Sequence, residues 1–168
     1  MTIQAGDRLP EVTLQRIANG VQTVDTRSLF DHKKSVIFAV PGAFTPTCSE
    51  RHLPGYIQHM DEFRHRGIEV ACVAVNDPFV MQAWAQSQHV PDDLMMLADG
   101  NGDFARALGL EMDASGYGMG KRVRRFALYA EDGVAKQVFV EAPGEFRVSS
   151  AEHMLEQLPQ PATAGGTP

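Results

Sequence analysis

The chain has 168 residues and a formal charge of −6, with 21 acidic against 15 basic side chains. That balance argues against nucleic acid or an anionic membrane surface as a partner, and no run of eighteen apolar residues is present to span a bilayer. The length suits one domain, expected over residues 1–158. Two cysteines are too few for a disulfide framework, and Met1 to Asp7 lacks a basic region followed by an apolar one. A reduced, cytoplasmic protein without a signal peptide is therefore expected.

In chain order, Val12 to Arg16 and Val21 to Val24 flank the turn signal Ala18-Asn19-Gly20 and predict a hairpin. Asp25 or Thr26 is placed to cap one helical turn ending near Phe30. Ser35 to Val40 is uniformly apolar, as expected of a strand covered on both faces. After Cys48, residues Leu53, Tyr56, Ile57, Met60 and Phe63 recur at helical spacing up to Gly67, with Pro54 expected to bend the helix or reset its first turn. Ile68 to Val75 is a second buried strand, which completes a βαβ unit.

Asp77 and Pro78 open a helix carrying Val80, Met81, Trp84 and Ala85. Leu94 to Leu97 is a short strand, and Asp103 is expected to cap a helix through Leu108. Gly109 to Gly120 is glycine-rich and unpatterned and reads as loop. Val123 to Tyr129 and Val134 to Val140 form a second hairpin across Glu131-Asp132-Gly133, and Ser149 to Glu152 reads as a capping box before a helix through Leu158. Residues 159–168 are too poor in apolar side chains to pack and are expected to be disordered. The order predicts an α/β, thioredoxin-like fold: a central mixed sheet flanked by helices, with an N-terminal β-hairpin.

Chemistry concentrates where the first buried strand gives way to a helix, at Pro41-Gly42-Ala43-Phe44-Thr45-Pro46-Thr47-Cys48-Ser49. Unpaired N–H groups of a first helical turn favour negative charge, so a cysteine there is poised to act as a thiolate. Cys72, by contrast, lies mid-strand between Ala71 and Val73 and reads as a core residue, too far from Cys48 to bridge to it. Position 51 is arginine and position 45 threonine, so Cys-x-x-Cys exchange is excluded at Cys48. Thr45 offers a hydroxyl instead, whose plainest use is a local loop bond.

The pattern Pro41-x-x-x-Thr45-x-x-Cys48, extended by His52-Leu53-Pro54-Gly55, resembles the active-site signature of the type II peroxiredoxins, thiol peroxidases of thioredoxin-like fold. The likeness runs from Gly6-Asp7 through Val75-Asn76-Asp77 to Arg124-Arg125-Phe126. It implies attack of Cys48 on a hydroperoxide and a sulfenic acid intermediate. It also implies a catalytic arginine just before an aromatic strand residue, which selects Arg125 over Arg122 and Arg124; these two read as solvated charge. Pro41 is implied to shield the sulfur, and Phe44 to help set substrate preference.

A thiol whose pKa falls by about three units gains about 30-fold in thiolate at neutral pH but loses about 20-fold in intrinsic nucleophilicity. Most of the rate is therefore expected from donors aligned on the peroxide, namely Arg125, the Thr45 hydroxyl and the Cys48 amide.

The place where some type II relatives carry a resolving cysteine reads Glu145-Phe146-Arg147-Val148-Ser149-Ser150, with Ser149 as the counterpart. A one-cysteine enzyme is expected, with no cofactor of its own and with an external thiol as reductant. Glutathione with glutaredoxin comes ahead of thioredoxin by family analogy, and a homodimer is expected by the same resemblance. A peroxide sensor passing oxidation from Cys48 to a partner is the alternative. The six histidines do not cluster with Cys48 as metal ligands; His52, one turn on, is expected to be structural or capping. Gly116-x-Gly118-x-Gly120 lacks the ending of a phosphate loop and reads as flexible connection.

Overall fold

The computed structural model describes residues 2–158, so the tail expected to be disordered, 159–168, lies outside the described residues. Nine strands and six α-helices follow in the order β1 Thr13–Ile17, β2 Val21–Asp25, α1 Thr26–Phe30, β3 Lys34–Ala39, α2 Leu53–Gln58, α3 Met60–His65, β4 Ile68–Ala74, α4 Pro78–Ser87, β5 Leu94–Ala98, α5 Asp103–Leu108, β6 Glu111–Asp113, β7 Lys121–Val123, β8 Phe126–Glu131, β9 Val134–Val140 and α6 Ala151–Gln157. A π-helical turn, Cys48–His52, precedes α2. Seven strands make one mixed sheet in the order β2-β1-β5-β4-β3-β8-β9. β3, β4 and β5 run parallel, and β8 pairs antiparallel with β3.

Alternation along the central strands divides the core. Val36, Phe38, Val40, Val70, Cys72 and Ala74 face α2, α3, α4 and α6, whereas Ile37, Ala39, Ala71 and Val73 face α1 and α5. Both faces are covered, which is why Val36 to Val40 and Val70 to Ala74 are apolar without a break. Phe38 stacks on Tyr56 of α2 at 3.9 Å between ring centroids, tying the helix that follows Cys48 to the middle of the sheet. The parallel strands all end at one edge, the place where open α/β sheets hold ligands. Cys48 lies there, just beyond β3.

Four local expectations change. The helix after Cys48 is not continuous: it starts as a π turn and breaks again at His59 between α2 and α3. The strand expected over Val123 to Tyr129 is interrupted at Arg124-Arg125, between β7 and β8. The stretch read as loop, 109–120, contains β6, which pairs with β7 in a hairpin closed by a 3-10 turn at Ser115–Tyr117. Finally, α5 is capped by Asp99 rather than Asp103, and α6 by Ser150 rather than Ser149. In the first of these caps the buried Asp99 carboxylate accepts from the N–H groups of Phe104 and Ala105, at 3.0 and 2.9 Å.

Asp99→Ala leaves those two buried donors without acceptors. A loss of about 2 kcal/mol is expected, read as a lowered urea midpoint with an unchanged denaturant slope; Asp99→Asn, which keeps one acceptor, should lose about half of that.

Candidate active site

Pro54 explains the shape of the turn that carries Cys48. It has no N–H to offer the carbonyl four residues back, and its ring crowds that carbonyl, so an α-helix cannot run through it undisturbed. The chain widens upstream instead: Leu53 N–H donates to the Cys48 carbonyl, five residues back. A turn closed in this way brings residues four apart nearly into line, and Cys48 and His52 are that pair. Both are fully buried. The Trp84 indole N–H donates to Ser49 Oγ at 2.9 Å and Gln88 to the Ser49 carbonyl at 3.1 Å, so α4 holds the turn from outside.

Arg125 arrives from the opposite side. Register places Phe126 of β8 beside Ala39 of β3, so Arg125 sits level with the end of β3, where the loop to Cys48 starts. The interruption between β7 and β8 releases it from strand geometry. Its Nη2 donates to Cys48 Sγ at 3.2 Å and its Nη1 to His52 Nδ1 at 2.8 Å. His52 Nε2 in turn donates to the Ser149 carbonyl at 3.0 Å, which also accepts from the Tyr56 hydroxyl at 2.9 Å. Burial first, and the charge of Arg125 second, push the His52 pKa down to about 3. His52 is thus neutral, protonated on Nε2, and its Nδ1 lone pair receives the arginine.

The segment before α6 is anchored by Glu141, itself buried. Its carboxylate accepts from the backbone N–H groups of Arg147, Val148 and Ser149 and from the Ser149 hydroxyl, at 2.7 to 2.9 Å. Burial works to raise its pKa, but those donors together hold it below the usual carboxylate value. Phe146, in the same segment, lies edge-on to His52 at 5.0 Å and beneath the guanidinium of Arg51 at 4.7 Å. Ser149, expected to stand where some relatives carry a resolving cysteine, is bonded through its amide, hydroxyl and carbonyl as a structural residue. Neither Glu141 nor Ser149 carried a sequence signal for this role: Glu141 bonds amides six to eight residues on, across a stretch with no periodic pattern, and the partners of the Ser149 carbonyl lie 93 and 97 positions away.

The other expected site residues are placed as follows. Pro41 lines, with Thr47 and Arg125, a cavity of about 210 Å³; Cys48 is buried behind this wall, next to Thr47 in the chain and bonded to Arg125. The Thr45 hydroxyl donates to the Gly42 carbonyl at 2.6 Å, so its one proton closes the loop and its oxygen is left as an acceptor, not the donor expected. Gly42 permits this approach: a Cβ there would meet Met119 Cε at 3.0 Å and Thr45 Cγ2 at 3.3 Å. Phe44 takes a left-handed backbone, φ 67°, is 56% exposed, and does not line the cavity. Arg122 and Arg124 are not solvated charges but half-buried donors to backbone carbonyls, of Val75 and Glu141 respectively. Both cysteines are free thiols. Cys72 lies in the core, where burial first and Cys48 second push its pKa up, as the core reading of that residue requires.

The neutral state of His52 sets a pH dependence. Between pH 6.5 and about 3 the unfolded chain binds a proton at this position and the folded protein does not, so stability falls as pH falls. From pH 7 to pH 5 the native protein is expected to lose about 2 kcal/mol that His52→Gln does not lose, measured as the difference between their urea stabilities. A constant difference would mean that His52 takes up its proton in the folded protein as readily as in the unfolded chain.

Residues 4–155 match the Redoxin family. Peroxiredoxin-2E, chloroplastic, of Arabidopsis thaliana is 47% identical over 94% of this chain and 70% of that protein, and peroxiredoxin-2B of the same plant is 43% identical over 93% of this chain and 98% of its own length. The crystal structure of reduced Prx3 of Vibrio vulnificus in complex with hydrogen peroxide superposes with a TM-score of 0.89, at 47% identity over 92% of this chain and 98% of that one. The chain belongs to the Redoxin family and is a peroxiredoxin of type II kind, a thiol peroxidase of thioredoxin-like fold.

Proposed function

We propose that the protein reduces hydrogen peroxide and organic hydroperoxides through a sulfenic acid on Cys48, with glutathione and glutaredoxin, ahead of thioredoxin, returning the thiol. The Cys48 sulfur attacks the hydroxyl oxygen of the hydroperoxide; an S–O bond forms, the O–O bond breaks, and the alkoxide or hydroxide leaves and takes a proton. Sulfur loses two electrons in this step. The observation that carries the reading is the guanidinium of Arg125, bonded at once to Cys48 Sγ at 3.2 Å and to His52 at 2.8 Å. Such a donor is fixed before the reaction and meets the charge that moves onto the leaving oxygen. Arg125 and the Cys48 amide act as donors in this scheme, and Thr45 Oγ1 accepts from the peroxide O–H. His52 is a positioning residue.

An external reductant fits the burial of Cys72 and the presence of serine at position 149. A homodimer fits the exposure of Phe44, Phe79 and Tyr117, three large apolar side chains. Phe44 stands in the loop before Cys48, Phe79 in the first turn of α4 and Tyr117 in the 3-10 turn of the β6–β7 hairpin; these segments meet where Ala43 N–H bonds Asn76 at 2.9 Å and Gly42 abuts Met119. A reducing compartment such as the cytoplasm suits an enzyme that depends on a free thiol.

Cys48→Ser should abolish peroxide consumption, and Arg125→Gln should slow Cys48 oxidation about 100-fold. Cys72→Ser should retain turnover with glutathione and glutaredoxin, assayed beside thioredoxin with NADPH oxidation as the readout. Peroxide reduction by Cys48→Ser would end this scheme, and loss of turnover in folded Cys72→Ser would end its one-cysteine form.

A further inference from the structure

The arginines around Cys48 are provided with carbonyls and rings but not with carboxylates. Among the described residues, Arg51, Arg122, Arg124 and Arg125 form no ion pair, although acidic side chains outnumber basic ones in the chain. Arg125 serves the sulfur, and Arg122 bonds the Met119 carbonyl of its own hairpin at 2.9 Å and ties that hairpin to the Val75 carbonyl at 3.1 Å. Arg124 is different. One of its N–H groups reaches the Glu141 carbonyl at 3.1 Å, while its side chain lines the cavity that Arg125, the residue bonded to the Cys48 sulfur, also lines.

The remaining walls are largely apolar: Pro41, Met112, Ala142 and Pro143. Two carboxylates also border the space. That of Glu141 is turned onto the amides of 147–149, and that of Glu145 lies 3.7 Å from Arg147. A cavity of this kind, hydrocarbon on its sides with one guanidinium short of an anion, suits a ligand built the same way.

The geometry points to a substrate preference: the cavity takes organic hydroperoxides that carry a carboxylate, with Arg124 holding the carboxylate while the hydroperoxide group reaches Cys48. The inference rests on Cys48 being the peroxide-reactive residue. The step is the one already described: the S–O bond forms as the O–O bond breaks, Cys48 is oxidised to the sulfenic acid, and the carboxylate-bearing alkoxide takes a proton and leaves as the alcohol. The hydrocarbon between the two groups lies against Pro41, Met112 and Pro143. A volume of about 210 Å³ suits one ring or a short chain. An arginine offers a carboxylate two parallel hydrogen bonds, which gives direction as well as charge.

The test follows Cys48 oxidation in stopped flow through Trp84, the indole bonded to the neighbouring Ser49. Cumene hydroperoxide and its para-carboxylate derivative are compared in the native protein, Arg124→Gln and Arg124→Lys, and each rate is divided by the rate of the same variant with hydrogen peroxide. The native protein should favour the carboxylate compound about 5- to 10-fold at low ionic strength and about 2-fold at 0.5 M salt. Arg124→Gln should abolish the preference and Arg124→Lys keep part of it. Equal native rates, or a preference that survives in Arg124→Gln, would overturn the proposal.

A second arm reduces the sulfenic form with 3-mercaptopropionate or 2-mercaptoethanol. A charge preference confined to that arm would give Arg124 to the reductant and overturn the assignment to the hydroperoxide. Failure of hydrogen peroxide to oxidise Cys48 would instead remove the underlying peroxidase reading and this preference with it. Normal oxidation by hydrogen peroxide without a carboxylate preference would remove the preference alone.

Discussion

The contact on which the site depends is the guanidinium of Arg125 between Cys48 Sγ and His52 Nδ1. A desolvated charge is costly unless it is paired or hydrogen-bonded, and the usual partner for arginine is a carboxylate. Here an uncharged imidazole lone pair stands in that place. It fixes the orientation of the guanidinium without cancelling its charge, so the full positive charge remains available to the sulfur and to the oxygen that leaves. The cost is carried by His52, which burial and Arg125 together keep neutral down to a pH of about 3.

That arrangement needs a rigid support, and the support is a second buried charge kept apart from the first. Glu141 could have paired with an arginine, but its carboxylate is occupied by three backbone N–H groups and the Ser149 hydroxyl. The segment before α6 is thereby fixed, and with it the Ser149 carbonyl, which receives both His52 and Tyr56. Tyr56 stacks on Phe38 in the central strand β3, so the chain of contacts from Glu141 to Cys48 is also anchored in the core. Negative charge is present near the site, but it is bound to amides rather than to Arg125.

How much of this could be read from residues depended on range. The strands of the sheet were legible because side-chain period and burial are local properties, and the Asp25 and Asp77 caps because their partners lie three residues on. Arg125 could be selected only through resemblance, since three arginines crowd the stretch and nothing local distinguishes them. The π turn leaves a trace in Pro54, which signals a disturbed helix without specifying the form of the disturbance. Residues 111–123 were hidden because three-residue strands around glycines have almost no periodicity. Glu141 and Ser149 were out of reach altogether. Ser149 acts through its carbonyl, which every residue has, on partners 93 and 97 positions away.

Thr45 shows how one proton alters the chemistry of the site. A hydroxyl has a single hydrogen, and at 2.6 Å from the Gly42 carbonyl that hydrogen is already engaged. In the proposed scheme, what remains on Thr45 is an acceptor, set across from the donors Arg125 and the Cys48 amide. A peroxide placed between them meets an acceptor where its attacked oxygen carries a proton and donors where charge collects on the leaving oxygen. Only a molecule with an O–H on the oxygen under attack satisfies both sides. A dialkyl peroxide would leave the Thr45 oxygen unpaired and bring a carbon against it. In that scheme, selectivity for hydroperoxides would follow from the direction of one short hydrogen bond within the loop.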